Sequence, residues 1–208
     1  MTQPLHVRIG QYTHSSLKSV NQDFVGARLP TGATLGHKGV VLAIADGISS
    51  SDVSQIASET AVSGFIEDYY CTPEAWSVKQ SAERVLQALN AWLFAQTRNS
   101  PYRFERDRGY ICTFSTLIFK ARQAHLLHAG DTRIYRLANQ QLEPLTEDHR
   151  HCVDADTHYL TSALGVYPHL RFDYHQLDLE PGDTFILASD GARSEEHTSE
   201  LQSHSRIS

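Results

Sequence analysis

The spacing of apolar residues changes from helical to strand-like near residue 100, and this change restricts the possible folds more than any other sequence feature. Between residues 53 and 65, and again between 78 and 93, apolar side chains recur at helical spacing, which predicts two consecutive amphipathic helices. Beyond residue 100 the apolar runs are short, rich in β-branched and aromatic residues, and interrupted by polar or glycine-containing breaks. Such runs are typical of adjacent antiparallel strands. They are predicted at 112–120, 124–129, 133–137 and 171–179.

Two further apolar runs, residues 39–44 and 184–188, predict buried strands, and each leads into an Asp-Gly pair. The predicted helices and strands are grouped along the chain and do not alternate strictly. This grouping favours an α+β domain over a doubly wound parallel fold. We therefore expect a four-layer α-β-β-α sandwich, in which helices cover the outer faces of two antiparallel sheets.

The composition excludes several classes of protein. With 208 residues, 40% of them hydrophobic, the chain has the length and composition of one globular domain. A formal charge of −6 without a basic stripe argues against a nucleic-acid partner. No apolar run reaches the roughly 18 residues of a membrane span, and the first residues do not resemble a secretion signal. Three widely spaced cysteines fit reduced thiols, so we expect a cytoplasmic protein.

Four aspartates beside predicted strands are candidate metal ligands. Asp46 and Asp190 each stand at the end of an apolar strand and precede a glycine, in the sequences IADG and ASDG. Mg²⁺ and Mn²⁺ prefer carboxylate oxygens, and a neighbouring glycine lets the backbone carbonyl approach an ion. Asp23 and Asp131 lie beside further strand-like segments, so the four carboxylates could serve a pair of ions. From spacing alone an Asp-Gly pair is more often only a turn, and both interpretations remain open at this point.

Seven short motifs occur in a fixed order along the chain. They are KSVNQD (18–23), AIADGISS (43–50), CTFSTL (112–117), HAGDTRIYRL (128–137), LTEDH (145–149), LTSALG (160–165) and LASDG (187–191). In order and spacing this series resembles that of the type 2C, or PPM-type, metal-dependent serine/threonine protein phosphatases. The resemblance extends to Ala192. The first two motifs also look like the phosphatase half of bacterial proteins that carry a protein kinase domain, a possible partner in a longer chain.

The resemblance implies a role for each candidate residue. Asp46 matches the aspartate that bridges two divalent cations, Mn²⁺ or Mg²⁺, and Gly47 matches the glycine whose carbonyl oxygen binds the second ion. Asp190 matches a ligand of the first ion. Asp23 matches the acidic residue that holds metal-bound water, and Asp131 matches a ligand of a third, weaker ion.

The resemblance also implies a mechanism. A hydroxide bridging the two cations attacks the phosphorus of phosphoserine or phosphothreonine in line, so that no phosphoenzyme forms. Lys18 matches the family's phosphate-binding arginine, and a cation there helps to hold the charged phosphate. Asp46, Asp190 and Lys18 are therefore the expected catalytic residues. A phosphorylated protein is the expected substrate, dephosphorylated in bacterial signalling.

Three positions depart from the family pattern. Lys18 replaces the arginine, which exchanges a planar bidentate clamp for a point charge. Gln22 stands where many members have glutamate, so we expect weaker binding of the second ion. Ile48 stands where some members have a histidine proposed as general acid, and that role stays unassigned.

The end of the chain also departs from the family. The D-N-x-T motif, whose aspartate completes the first metal site in the family, does not follow Gly191. Residues 193–208 instead look like one reading frame of a sequencing-adapter oligonucleotide. We therefore expect a C-terminally incomplete phosphatase domain at 1–192, a disordered adapter-derived segment at 193–208, and weak activity of this chain. The alternative is a non-catalytic pseudophosphatase or regulatory module that binds a phosphoprotein.

Overall fold

The computed structural model describes residues 5–15, 19–138, 140–154 and 157–193. This part of the chain forms α-helices and β-strands joined by short loops, with one-turn 3-10 helices at Arg106–Arg108 and Asp190–Arg193. In chain order the elements are β1 (Asp23–Arg28), α1 (Gly32–Lys38), β2 (Val40–Asp46), α2 (Ser54–Cys71), α3 (Val78–Arg98), β3 (Phe114–Lys120), β4 (Gln123–Ala129), β5 (Arg133–Ala138), β6 (Gln141–Pro144), β7 (Arg150–Asp154), β8 (Thr157–Leu160), β9 (Asp173–Asp178) and β10 (Thr184–Ala188).

The strands form two antiparallel sheets and a hairpin. The larger sheet has the strand order β1-β2-β3-β4-β9, and the smaller sheet has the order β10-β5-β6. Among the described residues, β7 and β8 pair only with each other. This topology confirms the predicted α+β fold with two antiparallel sheets.

Side-chain alternation along the central strands divides the core into two layers. On β2, Val41 and Ala43 belong to the cluster that packs against the helices, whereas Val40 and Leu42 belong to the cluster on the other face. Successive side chains of a strand point to opposite faces, and both faces of β2 are covered. Helices α2 and α3 cover the first face, with Phe65 of α2 fully buried there.

The smaller sheet packs on the second face of the larger one. The rings of Phe119 on β3 and Phe185 on β10 lie 5.2 Å apart, and Ile134 on β5 is fully buried in the same cluster. Both long helices lie on the larger sheet, and the described residues place no helix of comparable length on the smaller sheet. The described part of the chain therefore contains three of the four predicted layers.

The sequence predicts the long elements better than the short ones. Both long helices are confirmed. Ser77 precedes α3, and its side chain accepts a hydrogen bond from the Gln80 amide, as expected of a helix cap. Strand β6 escapes prediction because its four residues are all exposed and carry no apolar alternation. No helix in the described ranges is long and apolar enough to cross a membrane.

Candidate active site

The pairing of β1 with β2 places two of the predicted metal ligands side by side. In the antiparallel register Asp23, the first residue of β1, lies opposite Asp46, the last residue of β2. The pairing continues for one more residue, because the Gly47 amide donates a hydrogen bond to the Gln22 carbonyl oxygen at 3.0 Å. Both carboxyl groups therefore lie at the same end of the larger sheet.

The smaller sheet brings a third predicted ligand to this place. Strand β10 leads into Asp190, and the Asp46 carboxyl is in hydrogen-bonding contact with the carboxyls of both Asp23 and Asp190. The Ser189 hydroxyl donates a hydrogen bond to Oδ2 of Asp23 at 2.8 Å, which links the end of β10 to the start of β1. Three of the predicted ligands thus meet where the two sheets come together.

Burial and neighbouring negative charges strongly raise the pKa of Asp46. Desolvation, followed by the proximity of the Asp23 and Asp190 carboxylates, raises the pKa of Asp46 to about 9. At neutral pH Asp46 then shares a proton with its neighbours, and a bound cation would replace that proton. In the described residues no group of three or more Asp, Glu, His or Cys side chains already surrounds a common point as the ligands of an ion do. The Asp46 carboxyl instead contacts each of the other two directly.

Backbone contacts hold Asp46 in place. The Thr113 amide donates to the Asp46 carbonyl oxygen at 2.8 Å, and the Asp46 amide donates to the Thr113 hydroxyl at 3.0 Å. Gly130 packs against Thr113 so closely that a Cβ at Gly130 would lie 2.5 Å from that of Thr113. Sequence reasoning missed Thr113 and Ser189 as positioning residues, although both lie inside the motifs CTFSTL and LASDG.

Gln22 supports the loop that follows Asp46. Its side-chain amide donates to the Ser51 carbonyl oxygen at 2.9 Å and to the Ser54 hydroxyl at 2.7 Å. A glutamate at position 22 could not make the first of these bonds, because a carboxylate and a carbonyl oxygen are both hydrogen-bond acceptors. The amide at position 22 therefore joins β1 to the start of α2.

Asp131 belongs to an ion network with Arg150. Its Oδ2 lies 2.8 Å from Nε of Arg150, the first residue of β7, although the angle at this contact is poor for a hydrogen bond. The same Nε lies 3.3 Å from Oδ2 of Asp148. Asp148 in turn accepts two hydrogen bonds from Arg133, at 2.7 and 2.8 Å. The last predicted site residue, Lys18, lies outside the described residues.

Known proteins are similar to this chain in sequence and in fold. A sequence model of the family described as protein phosphatase 2C matches residues 10–207. The match runs into the segment assigned above to an adapter; residues 194–208 lie outside the described ranges, so that assignment stays a prediction.

Individual proteins are also similar to this chain in sequence or in fold. The serine/threonine phosphatase stp of Listeria monocytogenes is 27% identical over 73% of this chain, and the match spans 66% of that protein, slightly less than two thirds of its length. The structure of PppA from Pseudomonas aeruginosa, a regulatory component of the type VI secretion system, is similar with a TM-score of 0.70 and 25% identity, over 95% of this chain and 83% of that one. The catalytic domain of the phosphatase PstP in complex with two manganese ions has a TM-score of 0.69 and 21% identity, over 92% and 80% of the two chains.

Proposed function

The chain belongs to the protein phosphatase 2C family, and we propose that it is a metal-dependent phosphatase acting on phosphoserine and phosphothreonine in proteins. One observation carries the proposal: the carboxyls of Asp23, Asp46 and Asp190, contributed by two different sheets, are in contact at one end of the sandwich. The Asp46 carboxyl is buried, and a buried carboxylate beside two others is unfavourable for folding unless protons or cations neutralise it.

The residues present fit a pair of divalent cations. Asp46, Asp190 and the Gly47 carbonyl would hold the ions directly, and Asp23 would act through a water molecule. Oxygen donors of this kind suit Mn²⁺ and Mg²⁺. The carboxyls would have to separate from their present contacts to admit the ions. Bound cations of this type lower the pKa of water and neutralise charge that develops on a phosphoryl group.

The protein residues have positioning and binding roles in this proposal. Asp46 would hold the cations in its ionised form, and Thr113 keeps the Asp46 backbone fixed through two hydrogen bonds. Ser189 orients the Asp23 carboxylate by donating a hydrogen bond to its Oδ2. Lys18 would hold the phosphate of the substrate, as the sequence resemblance implies.

A third cation at Asp131 would have to compete with Arg150. The Arg150 guanidinium already lies against the Asp131 carboxylate and so supplies positive charge at that position. Binding of a third ion would therefore require this ion pair to open, and we expect it to be weak.

The proposal is tested with the purified chain, its Asp46→Ala variant and Mn²⁺. Mn²⁺ should raise the melting temperature of the unmodified chain and support hydrolysis of a phosphothreonine peptide, while the Asp46→Ala variant should show neither effect. The rate is expected to be low, because no residue of the described part matches the family's final aspartate. If neither stabilisation nor hydrolysis depends on Asp46, the proposal is wrong. Stabilisation by Mn²⁺ without hydrolysis would favour a non-catalytic phosphoprotein-binding module.

The cytoplasm is the proposed location. Cys71 and Cys112 are free thiols, as the cysteine spacing predicted, and a reducing compartment keeps thiols in this form. A kinase domain in a longer chain stays a prediction.

A further inference from the structure

A surface cleft of about 430 Å³ lies beside the carboxylate end of the larger sheet. Its walls are formed by residues 161–163 and 167–171, in the segment between β8 and β9. None of the candidate metal ligands lines it, so it is separate from the carboxyl cluster. Its volume is within the range of sites that bind small molecules or peptide side chains.

Strand pairing brings one edge of this cleft near the metal ligands. Gly47 pairs with Cys112, and Cys112 pairs on its other side with Leu164, the residue after the first wall of the cleft. Antiparallel partners are about 5 Å apart, so Leu164 lies roughly 10 Å from Gly47. An extended peptide advances about 3.3 Å per residue, so three or four residues would cover this distance.

The walls of the cleft are held by buried hydrogen bonds. Asn90 of α3 is fully buried, and its side chain donates to the Tyr167 carbonyl oxygen at 3.0 Å and accepts from the Gly165 amide at 2.9 Å. Gln87, one turn earlier on α3, donates to the Leu170 carbonyl oxygen at 3.0 Å. The Ser162 hydroxyl donates to the Arg171 carbonyl oxygen across the base of the segment. The cleft is therefore preformed by contacts with a rigid helix.

One arginine gives the cleft walls a permanent positive charge, and one tyrosine gives them an aromatic surface. Arg171 and His169 are exposed in the wall, which contains no aspartate or glutamate. Tyr167 is 48% exposed and stands beside Pro168, which together offer an apolar surface. The chain as a whole has a net charge of −6, so a positively charged wall differs from the rest of the molecule. A positive wall is complementary to carboxylates.

We propose that this cleft binds acidic side chains of the substrate, three or four positions away from the phosphorylated residue. The inference rests on the proposed phosphatase function and adds a sequence preference to it. Arg171 would pair with a carboxylate of the substrate, while Tyr167 and Pro168 would pack against its peptide backbone. A peptide with neutral residues at these positions would lose the ion pair and keep the backbone and phosphate contacts.

The test compares phosphothreonine peptides of otherwise identical sequence. Each peptide carries either glutamate or glutamine at the third and fourth positions before the phosphothreonine, or at the third and fourth positions after it. We expect kcat/KM to be about fivefold higher for one of the glutamate peptides, the size of an exposed ion pair. Arg171→Glu should abolish this preference, measured as the ratio of kcat/KM for the glutamate peptide to that for the glutamine peptide. Arg84→Glu, an exposed site on α3 outside the cleft walls, is the matched control and should keep the preference.

The proposed cleft is wrong if glutamate and glutamine peptides are hydrolysed at equal rates. It is also wrong if Arg171→Glu and Arg84→Glu change the preference for glutamate equally. If no peptide is hydrolysed, the proposed function fails independently of the cleft. Binding of fluorescein-labelled phosphopeptides, measured by anisotropy, then decides: tighter binding of a glutamate peptide that Arg171→Glu removes and Arg84→Glu retains supports the cleft. The absence of that difference rejects it.

Discussion

Gly47 and Gly191 follow the aspartates at the ends of β2 and β10, and they have very different surroundings. A Cβ at Gly47 would lie 2.7 Å from the Ser54 carbonyl oxygen, at the first turn of α2. A Cβ at Gly191 would meet no atom within 4 Å. Identical dipeptides therefore tolerate substitution differently, because a backbone atom of a packed helix cannot give way as a flexible side chain can.

Alanine at these two glycines should have different effects. Gly47→Ala should lower the free energy of unfolding by about 1–3 kcal/mol, since it forces α2 away from the end of β2. It should also weaken stabilisation by Mn²⁺. Gly191→Ala should change stability by less than about 0.5 kcal/mol. Urea unfolding with and without Mn²⁺ measures both effects, and equal losses in the two variants would contradict this account of Gly47.

At the scale of elements, a buried histidine joins β4 to the segment before β7. Nε2 of His128 lies 3.0 Å from the Glu147 carbonyl oxygen and must donate to it, so Nδ1 accepts the hydrogen bond from the Ser115 hydroxyl. Ser115 in turn accepts from the Thr132 hydroxyl. Burial, and then the neighbouring His149, lower the pKa of His128 to about 4. The folded protein therefore holds this imidazole neutral.

This buried imidazole predicts a loss of stability in mild acid. The unfolded chain takes up a proton near the ordinary histidine pKa of 6.5, while the folded chain does not until about pH 4. Since the unfolded state binds more protons between these values, stability is complete above pH 6.5 and falls as the pH approaches 4. The loss attributable to His128 is roughly 3 kcal/mol, from about 1.4 kcal/mol per pH unit.

Urea unfolding across this pH range tests the assignment. The His128→Gln variant should be less stable at neutral pH but should show a shallower dependence on pH. The exposed His175 on β9 provides a control, because its glutamine variant should keep the dependence of the unmodified chain. An unchanged pH dependence in His128→Gln would show that other groups cause the acid sensitivity.

At the scale of the whole molecule, the metal ligands depend on how the two sheets pack. Asp23 and Asp46 belong to the larger sheet, whereas Asp190 is carried by β10 of the smaller sheet. The aromatic contact between Phe119 and Phe185 lies in the layer between these sheets. A change in that layer would therefore move Asp190 relative to the other two carboxyls.

Truncating the two core layers should affect metal binding differently. Phe185→Ala, in the layer between the sheets, and Leu86→Ala, under helix α3, should each cost about 2–4 kcal/mol of stability. Only Phe185→Ala should also raise the Mn²⁺ concentration needed for half-maximal stabilisation, by about tenfold for a loss of ~1.4 kcal/mol. Calorimetric titration with Mn²⁺ distinguishes the variants. If Leu86→Ala raised the required Mn²⁺ concentration by a similar factor, the effect would come from general destabilisation of the fold.

Local sequence determines the parts of this protein that local physics controls. The helical spacing of apolar residues fixes α2 and α3, and the apolar runs before the Asp-Gly pairs fix β2 and β10, because each pattern is complete within a few turns or residues. The motif series also identifies the family and three carboxyls that meet. Elements whose residues are exposed, such as β6, carry no such pattern and could not be predicted.

The tertiary structure alone decides which partners these residues acquire. Nothing in the spacing of Asp131 and Arg150 indicates that the guanidinium of one lies against the carboxylate of the other. Likewise, the proton held by Asp46 depends on burial and on Asp190, a residue distant in sequence that the packing of two sheets brings into contact. Desolvation and charge proximity are properties of three-dimensional distance, and sequence order does not encode them directly.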